Sequence, residues 1–179
     1  MSGISDRVAS PRVEMIPVGP FQGNCLLVSD GATGHVLIVD PGADGDRIIR
    51  AVDAGIKAPQ PVAFQGNVLV MEFIGKDCVP APRLKDVKCD SPDGLFDVLV
   101  DFMNLLYQKA GLIHADFSEY NVLMDDGEPV LIDMGQSVLL DHPRAQDFLV
   151  RDIENVIRFF SKLGVEAETR GLIQRISGQ

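Results

Sequence analysis

The chain has 179 residues, 46% of them hydrophobic, a formal net charge of −10 and a sequence pI near 4.6, which suits one domain or two small ones. Such acidity excludes the broad basic face that phosphate-backbone binding needs, so no direct DNA binding is expected. No apolar run approaches the ~18–20 residues of a membrane span, and the polar opening MSGISDRVASPRVE lacks an apolar h-region, so neither a membrane anchor nor a secretory leader is expected.

Residues 1–12 read as a flexible tail. VEMIPVGPFQGNCLLVSD then reads as strand, Gly-rich turn, strand, and GATG as a further turn before the buried strand HVLIVD, so 24–39 predicts a β-hairpin. ADGDRIIRAVDAG reads as a helix, with Asp44 as its N-cap and Gly55 as its stop. APQPVAF is extended, because its prolines bias the residues before them away from helix. NVLVMEFIG is a strand, and KDCVPAPRLKDVKCDSPDG a long Pro-rich loop. LFDVLVDFMNLLYQKAG carries apolar residues at 95, 96, 99, 102, 105 and 106, which is helical spacing between Ser91-Pro92 and Gly111. A strand at 111–115, a polar loop, and the strands NVLM and VLID around the turn DDGEP follow. AQDFLVRDIENVIRFFSKLG and EAETRGLIQRI close the chain as two amphipathic helices.

Cys25, Cys78 and Cys89 are widely spaced and odd in number, which makes neither a CxxC pair nor a disulfide framework and points to a reducing, cytoplasmic setting. Arg83, Lys85 and Lys88 form the main local basic cluster, read as a solvated loop. FQGN occurs at 21–24 and 64–67, each time before an apolar strand; this is ordinary turn chemistry rather than a duplicated unit.

The stretch GLIHADFSEYNVLM poses the functional question. A core strand has no need of His114, Asp116, Ser118, Glu119 and Asn121 between its apolar residues. Phosphoryl transfer does have such a need. The transferred group brings its own charge, so the protein chiefly positions the reactants and a metal. One carboxylate orients or accepts the proton of the attacking hydroxyl. A side-chain amide and a second carboxylate suit Mg²⁺, a hard cation that prefers oxygen ligands. Asp116 and Asn121 have the D-x-x-x-x-N spacing of a kinase catalytic loop, and Asp133 opens D-M-G after a predicted hairpin. Such a hairpin would bring Asn121 and Asp133 to one end of its ladder. The competing reading is that Asp116 and Asn121 cap turns and Asp133 ends a strand.

MEFIG followed by PAPRL, HADFSEYNVL and IDMGQSV resembles the RIO family of atypical serine/threonine protein kinases, nearest its archaeal Rio1-like branch, from about Asp53 onward. The resemblance implies an α+β fold: a protein-kinase-like RIO C-lobe over 53–179, mainly helical with short β-hairpins. It implies Asp116 as the catalytic aspartate, Asn121 and Asp133 as metal ligands, and backbone atoms of Glu72 and Ile74 at the adenine. It further implies ATP with Mg²⁺, or Mn²⁺ in its place, and a cytoplasmic partner in the maturing pre-ribosomal small subunit. His114 is expected to pack and hydrogen-bond beside the loop, and Ser118 and Glu119 to shape it.

The upper part of a kinase is harder to find. Residues 1–52 hold no G-x-G-x-x-G, and HVLIVD has no lysine; the first lysine is Lys57. Residues 13–52 instead resemble the opening ββα unit of metallo-β-lactamase-fold hydrolases, through NCLLV and LIVDPG. A ββα unit in place of the usual N-lobe, and hence a chimera, is the expectation. That family's H-x-H-x-D-H motif is absent, so a metallo-hydrolase is disfavoured and Asp40 is read as structural. Two functional readings stand: a RIO-type kinase or ATPase impaired by the missing lysine and phosphate cover, and a catalytically inactive kinase-like scaffold.

Overall fold

The computed structural model describes residues 12–18, 23–29, 36–40, 45–65, 68–77 and 79–178. Residues 1–11 of the expected tail, the GPFQ and GATG turns, the Asp44 cap and Cys78 lie outside these residues, while Arg12, the last residue of that expected tail, already belongs to a strand. The chain divides into two compact units, residues 1–43 with 61–80, and 44–60 with 81–179.

The first unit is built on an antiparallel sheet of β1 (Arg12–Val18), β2 (Gly23–Ser29), β3 (Val36–Asp40), β4 (Pro61–Gln65) and β5 (Val68–Glu72), in the order β1-β2-β3-β5-β4. The expected hairpin is present, with Leu26 opposite Val39 and Ser29 opposite Val36. Pro17 and Pro61 both fall on edge strands, where a missing N–H leaves no gap in a central ladder. β3 pairs with β5, placing Leu37 opposite Glu72 and Asp40 opposite Leu69. The early strands therefore continue into the MEFIG strand as one sheet, rather than standing as a separate ββα unit. The short ladder of β6 (Gly75–Lys76) and β7 (Val79–Pro80) follows. Gly75 has φ +154°, and a Cβ there would meet the Val79 carbonyl oxygen at 2.2 Å.

The second unit is helical, with short hairpins. It contains α1 (Gly45–Asp53), α2 (Pro92–Leu105), β8 (Leu112–Ile113), β9 (Val122–Asp125), β10 (Glu128–Leu131), β11 (Val138–Leu139), α3 (Ala145–Ser161) and α4 (Thr169–Ser177). α1 belongs here by its contacts, with Ile48 and Ala51 buried, although the sequence grouped it with the strands before it. Pro92 opens α2, where a missing N–H costs nothing. Phe96, Leu99, Val100, Phe102 and Met103 face the core. The helix does not run regularly to its end: Leu106–Ala110 form a π-helical turn before Gly111 reverses the chain at φ +68°. On α3, Leu149, Ile153, Val156 and Phe160 make one buried stripe, and the Phe160 ring meets Phe96 edge-on at 5.4 Å. The β9–β10 turn is Asp126-Gly127, both at positive φ, as a tight two-residue hairpin turn requires.

Candidate functional site

Asp116 follows β8 on a loop whose backbone is held from behind by α3. The buried carboxylate of Asp152 accepts hydrogen bonds from the amides of Ala115 (2.8 Å) and Phe117 (3.0 Å), the two neighbours of Asp116. Arg151 donates to the Ala115 carbonyl, and Asn155 Nδ2 donates to the Phe117 carbonyl at 3.2 Å. Ala115 sits at φ +65°, a conformation unfavourable for a residue with a Cβ and sustained here by this clamp. Burial pushes the Asp152 carboxyl up to about 7, while its two amide bonds and Arg151 oppose that rise.

Asn121 Nδ2 donates both to the Asp116 carbonyl (2.8 Å) and to Asp116 Oδ2 (2.9 Å). The amide orientation is thereby set, and Oδ1 points to neither acceptor. Asn121 also directly precedes β9: its carbonyl accepts from the Ile132 amide at 3.0 Å, just beyond the Val122–Leu131 pair. Asp133 is the next residue, so Asn121 and Asp133 stand at one end of the ladder, with Asp116 hydrogen-bonded to Asn121. Asp133 is exposed and caps the 3₁₀ turn Met134–Gln136. Ser118 and Glu119 act through their backbones, accepting from the amides of Asn121 (3.0 Å) and Lys85 (3.2 Å).

His114 is buried. Its Nε2 lies 3.1 Å from the Ile132 carbonyl and its ring meets Phe117 edge-on at 5.5 Å. With Nε2 as the donor, the ring carries its proton there, and Nδ1 has no partner among the described residues. Burial lowers its pKa, against the opposing pull of that carbonyl, Asp133 and Asp116, so the ring stays neutral near pH 7. A cavity of about 10 Å³, the scale of a single water, is bounded by Met103, Leu112, His114, Phe117, Leu149 and Asp152 among others.

Glu72 and Ile74 lie in the first unit. Glu72 ends β5 and is exposed; Ile74 is buried two residues on. No three His, Cys, Asp or Glu residues gather as a metal cluster among the described residues. A magnesium–nucleotide site does not require one, because phosphate oxygens and waters complete the shell. The oxygen donors of Asn121 and Asp133 fit that demand.

The RIO domain family matches residues 45–172, about 70% of the chain. The chain belongs to the RIO family. Among curated relatives, the RIO-type serine/threonine-protein kinase Rio1 of Haloferax volcanii is 43% identical over 129 residues, covering 72% of this chain and 44% of the relative. The Rio1 of Thermoplasma acidophilum is 45% identical over 116 residues, covering 65% and 60%. The human serine/threonine-protein kinase RIO3 is 43% identical over 135 residues, covering 73% and 26%. The chain thus spans less than half of the Haloferax relative and about a quarter of the human one. The crystal structure of the Rio2 kinase–ADP/Mg²⁺–phosphoaspartate complex from Chaetomium thermophilum superposes with a TM-score of 0.73 at 20% identity, over 96% of this chain and 63% of that one. The fold is therefore protein-kinase-like, as the RIO resemblance implied. The RIO match begins at residue 45 rather than near Asp53, because α1 is part of the RIO unit.

Sequence reasoning passed over Asp152 and Arg151. A signal existed: Asp152 interrupts the apolar stripe Leu149, Ile153, Val156 at a core-facing position, where an acid needs a dedicated partner.

Proposed function

We propose that this RIO chain binds ATP with Mg²⁺ and carries out phosphoryl transfer, as a serine/threonine kinase or an ATPase. The observation that carries the reading is the double hydrogen bond from Asn121 Nδ2 to Asp116. It leaves Asn121 Oδ1 available to a cation at the ladder end that runs into Asp133. Mg²⁺, or Mn²⁺ in its place, supplies neutralisation of the charge that builds on the phosphate oxygens. Asn121 and Asp133 hold it. Asp116 orients the attacking hydroxyl and takes its proton on the oxygen not engaged by Asn121. Asp152 and Arg151 keep the Asp116 loop in place through its backbone. Backbone atoms of Glu72 and Ile74 receive the adenine, an assignment supported by the MEFIG likeness. The ADP/Mg²⁺ of the Chaetomium Rio2 complex and the kinase names of the relatives support the same chemistry. The family likeness also supports a cytoplasmic role with the pre-ribosomal small subunit. No helix among the described residues is long and apolar enough to cross a membrane.

A second reading, a nucleotide-binding scaffold without turnover, is favoured by the absence of any lysine on β3 and of G-x-G-x-x-G before it. Loss of that phosphate cover makes transfer slow in the first reading and absent in the second. A Mg²⁺-ATP titration followed by thermal unfolding tests binding: the wild type gains stability and Asp133→Ala loses the gain. Phosphate release above background in wild type but not in Asp116→Ala supports turnover. Equal release by both leaves the scaffold, and no thermal shift in wild type refutes both.

A further inference from the structure

We propose that Arg47 is a positioning residue for Asp133, a latch through which α1 holds the D-M-G segment in its metal-binding conformation; this rests on the phosphoryl-transfer reading above. The backbone of Asp133 lies at φ 60° and ψ 61°, in the left-handed region that most residues with a Cβ avoid and that Asp enters more readily. Two groups hold the turn that follows it. From inside, Ser137 does so: it is buried, its amide donates to the Met134 carbonyl at 3.1 Å, and its Oγ donates to the same carbonyl. From outside, Arg47 Nη1 donates to the Gly135 carbonyl at 3.4 Å and to the Ser137 carbonyl. One guanidinium thus spans the turn that Asp133 caps, from a helix far away in sequence.

The carboxylate lies close to the turn. A Cβ built on Gly135 would lie 3.5 Å from Asp133 Oδ1, so the space beside Gly135 is where the carboxylate sits. α1 is anchored by Ile48 and Ala51, which are buried, so Arg47 projects from a seated helix. Arginine suits the task. The two N–H groups of its one nitrogen Nη1 serve the two carbonyls, and the charge strengthens both bonds. A lysine ammonium ends one bond nearer the backbone and reaches these carbonyls less well. Groups that orient a metal ligand in this way typically matter by 10–100-fold in metal affinity.

Two readouts test the latch on the intact chain. In Arg47→Ala, amide hydrogens of residues 134–137 exchange faster than in wild type, while those of α3 do not. The Mg²⁺ concentration giving half of the ATP-dependent thermal stabilisation rises roughly 10–100-fold, and the melting temperature without metal or nucleotide changes little. Arg47→Lys, which keeps the charge and the stem, recovers only part of the metal response. The inference is overturned if the Mg²⁺ midpoint of Arg47→Ala stays within about twofold of wild type, well short of that expected range. It is equally overturned if only ligand-free stability falls. Asp133→Ala separates the two levels. If it abolishes the Mg²⁺ response and Arg47→Ala does not alter it, the latch alone fails. If Asp133→Ala keeps the response, the metal assignment fails and the latch with it.

Discussion

Asp152→Asn should make the stability of this protein respond differently to pH, and the size of the effect can be worked out. Asp152 is only 1% exposed, yet it is an acid inside the stripe of α3, and burial raises its carboxyl from the ordinary 3.8 to about 7. A folded-state value above the unfolded one means that the folded chain keeps a proton that the unfolded chain has released. The stability associated with the neutral acid is therefore full below about pH 4, declines as pH rises, and is lost once pH passes about 7. Each pK unit is worth about 1.36 kcal/mol, so between pH 5 and pH 7 wild type loses roughly 2–3 kcal/mol through this group. Asparagine has nearly the same shape but nothing to titrate. It also turns an N–H₂ toward one of the two amides of Ala115 and Phe117, a donor–donor mismatch costing ~1–3 kcal/mol at any pH. His114 titrates in the opposite sense: its lowered pKa removes stability as pH falls below its ordinary 6.5. Because His114 is present in both proteins, the difference between them isolates Asp152. Urea denaturation at pH 5 and pH 7 should show Asp152→Asn clearly less stable than wild type at pH 5, with the gap narrowing by ~2–3 kcal/mol at pH 7. A gap that is the same at both values would refute a raised Asp152 and the accounting built on it.

Other substitutions test the scaffold around the site. Gly75→Ala places a methyl group against the Val79 carbonyl and the Pro80 Cα, so it should cost more than ~1 kcal/mol and loosen the β6–β7 ladder, visible as faster amide exchange there. Arg175 bridges Asp97 (2.9 Å) and Asp101 (2.8 Å) of α2, but all three side chains are largely exposed; Arg175→Ala should cost only ~0.2–1 kcal/mol per pair, and the loss should shrink in 1 M salt. Asn104 and Gln108 donate to the Arg175 and Ile176 carbonyls at the end of α4 (2.9 and 2.8 Å). The double alanine variant should lose ~1–3 kcal/mol and fray that helix first in hydrogen exchange.

Much of the second unit is written locally. Helices α2, α3 and α4 declare themselves by apolar residues every three or four positions, and Ser91-Pro92 and Gly111 punctuate α2 as their backbone chemistry demands. Asp126-Gly127 announces a tight hairpin, and with it the convergence of Asn121 and Asp133. These features rest on neighbours along the chain, so one sequence suffices to read them. The family likeness rested on the same local motifs.

Long-range pairing is a different matter. Nothing in VLIVD specifies that β3 will pair with β5 rather than close a ββα unit, because an apolar strand accepts any partner that completes its ladder. Whether α1 joins the strands or the helices depends on which surface covers Ile48 and Ala51, not on the helix itself. The grip of Asp152 on the Asp116 loop, and of Arg47 on the Asp133 turn, joins residues separated by 35 to 90 positions. The sequence by itself thus determined which groups could do chemistry and the order in which they come. Only the tertiary structure decided which distant side chains hold those groups still, because a buried acid or a forked cation reveals its partner only when folding brings the two together.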